Sequence, residues 1–245
     1  GYPVPQPSGS LAVVSAEISS LSRELELALR RALGEDIWSS LARAERMSLA
    51  LLPEDGLTLL LEGRYPRFLT SLSLNLNRDW KRVPDSPGLW SLEGSGGEIA
   101  LVQRGVLAFG FPGVQPILEA YRRGEDAGYR RSSDFLLVIP AVEKLAAGLP
   151  VSGECMVRGS YLKDGIAASL QWHFPDAVRA RISLPLVKLA VWSLLSRSDP
   201  GFSRDSLKTE LDGAVVRIEG FKVGSAGVEA ILRTVFPQQL QRSQE

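Results

Sequence analysis

A single thiol and a single imidazole are the first residues to weigh for chemistry. Cys155 and His173 are the only Cys and His in the chain, and if they met they would make a thiolate nucleophile and its base. The sequence between them tests the idea. Glu154 to Leu162 and Ile166 to Phe174 flank Lys163-Asp164-Gly165, and an Asp-Gly turn folds them into a hairpin in which Lys163 faces Ile166 and Cys155 faces Phe174. Alternation along the strands puts Cys155, Val157, Tyr161, Ala168, Leu170, Trp172 and Phe174 on one face, the core. His173 falls on the wetter face with Arg158, Ser160, Ser169 and Gln171. The dyad is therefore split, and Cys155 reads as an inert buried thiol. One Cys also excludes an internal disulfide and a CxxC pair, and with one His it excludes the four-ligand Cys/His zinc sites.

Glycine-rich loops add no phosphate cradle. Gly94-Ser95-Gly96-Gly97 is followed by Glu98 and a strand pattern, whereas a P-loop needs Gly-Lys-Ser/Thr entering a helix. Gly105, Gly110 and Gly113 lack the dinucleotide-binding spacing. No catalytic, cofactor-binding or metal residue is assigned, and no cofactor is expected.

Two softer groups are candidates for partner contact. Trp80 and Trp90 bracket a loop, residues 81–88, that holds two prolines; the pair either meets a partner or covers the edge of the first core. Arg122, Arg123, Arg130 and Arg131 cluster around residues 124–129 and suit an acidic partner or anionic lipid headgroups, although Glu125 and Asp126 between them favour a solvated linker.

The elements that must position these residues follow from composition and periodicity. The 245 residues are 44% hydrophobic, enough for one large core or two small ones and incompatible with disorder as the main state. Lys+Arg 28 against Asp+Glu 28 removes the long-range pull of a nucleic-acid binder, so no nucleic acid partner is expected. No apolar run approaches the roughly 20 residues that span a bilayer; the longest, Leu184 to Leu195, is interrupted by Pro185, Lys188 and Ser193.

Residues 1–14 read as a flexible Pro-rich tether and 15–47 as N-terminal helices, the first over 16–33 between a Ser15 N-cap and Gly34, the second from Asp36 to about Met47. A strand at Leu57 to Glu62, a helix from Tyr65-Pro66 with Phe68, Leu69, Leu72 and Leu76 on one side, three strands at 89–93, 99–103 and 106–111, and a helix over 113–123 fill a first α+β unit, 48–128. A second unit, 129–245 with a frayed C-terminal tail, echoes it. Tyr65-Pro66 recurs as Phe174-Pro175, Val106-Leu107 as Val215-Val216, and Gly113-Val114 as Gly227-Val228, the pattern of an internal duplication. Phe135 to Ile139 offers a further strand, and Pro185 a kink in the long helix after Pro175. The expected fold is α+β: two similar split-βαβ-like, ferredoxin-like units with antiparallel sheets, preceded by an N-terminal helical segment.

Leu51-Leu52-Pro53-Glu54-Asp55, a Leu-rich strand, then Tyr65-Pro66 and a helix resemble the start of repeats in some exported bacterial proteins of unknown function, those with an LPxD, strand, helix opening. The likeness covers about twenty residues. It implies an extracytoplasmic, membrane-tethered α+β protein with no catalytic residues assigned. The start at Gly1, behind which a signal peptide, an anchor or only an expression tag would have been removed, fits a tether supplied by upstream sequence.

The leading expectation is a non-catalytic extracytoplasmic interaction or scaffold protein in the periplasm or cell envelope, tethered to a membrane and binding a protein partner. The alternatives are a module for a lipid or small apolar ligand, third an enzyme working through carboxylates, and for location the cytoplasm.

Overall fold

The segments richest in alternating apolar residues form strands, and they pair with their neighbours in sequence. The computed structural model describes residues 2–33, 38–39, 41–54, 56–94, 96–123, 130–131, 133–145, 151–198, 202 and 207–229. The chain divides into two compact units, one of residues 1–19 and 41–132, the other of 20–40 and 133–245.

In the first unit β1 (Tyr2–Pro3) pairs with β9 (Arg130–Arg131), while seven strands form a sheet: β2 (Ala12–Glu17), β3 (Ala44–Leu51), β4 (Leu57–Gly63), β5 (Trp80–Arg82), β6 (Leu89–Leu92), β7 (Glu98–Gln103) and β8 (Val106–Phe111). Their order is β2-β3-β4-β8-β7-β6-β5, every pair antiparallel. Helix α2 (Arg67–Leu76) links β4 to β5, and α3 (Gln115–Arg123) follows β8. Leu60, Ala100, Val106 and Ala108 of the sheet pack with Ile117 and Leu118 of α3.

The second unit contains α1 (Arg23–Leu33), β10 (Phe135–Ile139), α4 (Val142–Leu145), β11 (Glu154–Leu162), β12 (Gly165–His173), α5 (Ala177–Ser198), β13 (Lys208–Asp212) and β14 (Val215–Gly224). Its strands run β13-β14-β12-β11-β10, again antiparallel. The core joins Cys155, Leu170, Trp172, Val216 and Ile218 to Ala180, Val187, Val191 and Leu195 of α5. In the first unit α2 is followed by the four strands β5 to β8, the last of which pairs back onto β4, whereas in the second α5 is followed by the hairpin β13-β14, whose β14 pairs back onto β12; the internal duplication expected from the sequence is not supported.

This architecture corrects the expected fold class. Among the described residues, seven and five antiparallel strands make a predominantly β fold in place of two split-βαβ, ferredoxin-like α+β units, and no helical segment precedes them. Residues Ala12–Glu17 are β2, whose Ala12, Val13 and Ala16 are buried, so Ser15 lies in a strand and caps nothing. Helix α1 starts later, where Leu25 N–H donates to Ser22 Oγ (3.3 Å), the N-cap bond. The second expected helix meets β3 from Ala44 onward. Its Met47, Leu49 and Leu51 alternate with Arg46, Ser48 and Ala50, a period of two that a helical reading of so short a stretch absorbs. Gly34 and residues 35–37 lie outside the described residues.

Candidate functional site

The β11-β12 hairpin splits the thiol and the imidazole as alternation requires. Its register pairs Leu162 with Gly165 and Cys155 with Trp172, so the turn is Lys163-Asp164, two residues away in pairing from an Asp-Gly turn. Gly165 is the first residue of β12, and glycine is required there because a Cβ would run into the Val223 carbonyl of β14. Since alternation is a property of each strand, the changed pairing leaves every side chain on its expected face. Cys155 is buried, and burial, aided by the Glu154 carboxylate, raises its thiol pKa to about 12. A thiol so protonated is no nucleophile at neutral pH. His173 is exposed on the opposite face.

The partner-contact candidates are dispersed. Trp90 is buried, and its Nε1–H donates to Asn75 Oδ1 of α2 (2.9 Å). Trp80 is half-buried and meets Phe109 edge to face, ring centroids 6.5 Å apart. The loop between them lines an open hollow of about 360 Å³ with Arg82, Val83, Pro84, Asp85, Ser86 and Pro87. Arg122 and Arg123 are exposed at the C-terminal end of α3. Arg130 and Arg131 lie in β9, and residues 124–129 between the two pairs are outside the described residues.

The strongest surface feature lies on two helices. Of the ten exposed large hydrophobic residues among the described residues, eight belong to α2 and α5, which a random scatter of single apolar side chains would not produce. Tyr65, buried just before α2, seats the chain, and Pro66 supplies the backbone carbonyl that accepts from Thr70 N–H (2.9 Å). The helix then turns its apolar side away from the sheet. Phe68, Leu69, Leu72 and Leu76 are 42–76% exposed, whereas Thr70, Ser71 and Leu74 are the half-buried residues, and none of its residues is fully buried. This is an amphipathic helix with its usual orientation reversed.

Helix α5 is apolar on both sides. Ala180, Val187, Val191 and Leu195 enter the core of its unit. Val178, Ile182, Leu186 and Leu189, 42–69% exposed, fall within about 80° of one another on the other side at about 100° per residue. Arg179, Arg181 and Lys188 border that stripe, and the helix carries no Asp or Glu. Asp176, just before it, accepts from Arg179 N–H (2.7 Å) and forms the N-terminal cap. The sequence showed the α2 stripe but not its direction, because spacing defines a face and says nothing about which way it points.

No protein family matches the chain, and no curated protein matches it. Solved structures do. Crystal form III of TP0453 is similar at a TM-score of 0.65 and 14% identity, covering 95% of this chain and 98% of that one. Crystal form I of TP0453 is similar at a TM-score of 0.63 and 14% identity, covering 94% and 95%. At that identity the likeness is one of fold.

Proposed function

We propose that this protein is non-catalytic and docks on a lipid bilayer surface, with α2 and α5 each laying an outward apolar stripe into the headgroup boundary. One observation carries the reading: both helices point large apolar side chains at solvent and have only cations among their charged residues, Arg67 on α2 and Arg179, Arg181, Lys188 and Arg197 on α5. Full burial of such a side chain is worth about 1.5–3 kcal/mol, and these, 42–76% exposed, forgo roughly half of that each while they face water, so a surface that accepts them is favoured. Cations beside the α5 stripe match an anionic lipid surface, where each is worth about 1 kcal/mol, and interfacial helices combine these two contributions. No helix among the described residues is long and apolar enough to cross a membrane. The cell envelope is the compartment that goes with this reading, and the LPxD-like opening at Leu51 to Asp55 supports it.

Flotation of the full chain with vesicles tests it, comparing phosphatidylcholine alone with mixtures containing phosphatidylglycerol. Association with the anionic vesicles, weakened by salt and by the Phe68→Ser/Leu72→Ser and Val178→Ser/Ile182→Ser pairs, is expected. Failure to float, or flotation that the serine pairs leave unchanged, would overturn the proposal, and a protein partner would then be the better occupant of both stripes.

A further inference from the structure

On β11, in the second unit, Arg158 has a buried Nε atom with no hydrogen-bond partner. The register sets Leu136 of β10 on one side of it and Ser169 of β12 on the other. Met156 and Ser160, two residues away in each direction along β11, share its face. Leu136 and Met156 are buried, and Arg158 itself is half-buried. Another arginine on this face is treated differently. Arg217 is held by Asp212 (3.0 Å) and Glu210 (4.0 Å), while Arg158 has no ion pair among the described residues. Glu154 and Glu219 share the face, their backbones about 13 Å and about 10 Å from that of Arg158 by strand spacing.

A partly desolvated guanidinium without an acceptor is unfavourable, and this one stands where the sheet is locally reshaped. Between Ala168 and Leu170 the pairing of β12 with β14 shifts: Ala168 meets Phe221 and Leu170 meets Ile218, which leaves Glu219 and Gly220 opposite Ser169. Gly220 takes φ +69, the left-handed conformation of a bulge glycine. Bulges of this kind re-aim side chains beside functional sites. Here the bulge adjoins the serine that stands directly across from Arg158.

We propose that Arg158, Ser160 and Ser169 form a binding site for a phosphate group. The planar fork of Arg158 takes two oxygens, and the hydroxyls from two strands reach the others, a spread of donors that suits a tetrahedral oxyanion better than a flat carboxylate. The site stands apart from the membrane reading and does not depend on it.

The test is a titration of the full chain, following the arginine Nε–H signals by NMR, with Arg158 identified through R158K. Inorganic phosphate and glycerol 3-phosphate are added separately, with chloride at matched ionic strength as control. The Arg158 signal should move saturably with phosphate at a Kd of about 1–10 mM, and the S160A/S169A double variant should bind about tenfold more weakly. Tighter binding of glycerol 3-phosphate would identify a lipid headgroup as the source of the phosphate, equal binding a free phosphate. Absence of a saturable shift, a shift matched by chloride, or full affinity in S160A/S169A would overturn the proposal. Should R158K fail to fold, one arginine Nε–H signal that moves saturably with phosphate and binds about tenfold more weakly in S160A/S169A still supports the site, and no such signal, or full affinity in the double variant, still overturns it.

Discussion

The Trp90 indole and the Asn75 amide are joined by a 2.9 Å hydrogen bond, which ties α2 to the sheet of its unit. Little else fastens the helix: it rests against β5 and β7, none of its residues is fully buried, and only Thr70, Ser71 and Leu74 are half-buried. Replacing Asn75 by Leu leaves the buried indole N–H without an acceptor, so a loss of about 1–3 kcal/mol is expected in denaturant unfolding. Asn75→Asp keeps an acceptor and should lose less. Equal losses in the two variants would show that the bond is not what holds α2.

The two sides of α5 should answer mutation in opposite ways. Leu195 is buried in the core cluster, and Leu195→Ala should cost about 2–5 kcal/mol. Ile182 is 69% exposed, and Ile182→Ser should change stability by no more than about 0.5 kcal/mol while reducing vesicle association. Thermal or denaturant unfolding beside flotation separates these effects. A large stability loss at Ile182 would mean that the outward stripe serves the fold.

Much of the strand inventory was readable because it rests on period two and on turn residues. LTLLLE, FLLVI and the segments at 89–111 became strands within a residue or so of the expected limits, and the Cys155/His173 separation followed from alternation. The first two strands of the first sheet were not readable. Ala12–Glu17 lies between prolines and a helix, and Ala44–Leu51 has apolar residues on both faces, which blurs the alternation. The site was half readable: the apolar side of α2 was visible in its spacing, but its outward direction depends on which elements the sheet leaves uncovered, a property of the whole unit. Arg158 offered no signal at all, since the absence of a partner is a tertiary fact.

Gly165 gives a local check on the hairpin register. A Cβ at this position would collide with the Val223 carbonyl, so Gly165→Ala must push β14 away from the start of β12. A loss of about 1–3 kcal/mol is expected, as for overpacking elsewhere in a well-packed interior. Gly213, in the turn before β14, has φ +56 and nothing within 4 Å of its Cβ position, so Gly213→Ala should show only the milder conformational penalty. If the two alanines cost the same, the close approach of β14 is not the reason for glycine at 165.

Alkaline pH should weaken the protein through two buried acids. Burial raises Tyr65 to about 12 from 10.0, against the opposing pull of Arg43, and burial with Glu154 raises Cys155 to about 12 from 9.0. Both groups are neutral when protonated, and in this range the folded state keeps protons that the unfolded chain has released. Stability is therefore unaffected by these groups below about pH 9 and falls as pH rises toward 12. Denaturant unfolding at pH 8 and pH 11 should show this fall in the wild-type chain, a smaller one in Tyr65→Phe and in Cys155→Ala, and the smallest in the double variant. Because the phenol and the thiol lie in different units, the two effects should add. A fall of the same size in all four chains would place the alkaline loss in other groups and remove the argument that these two are sealed from water.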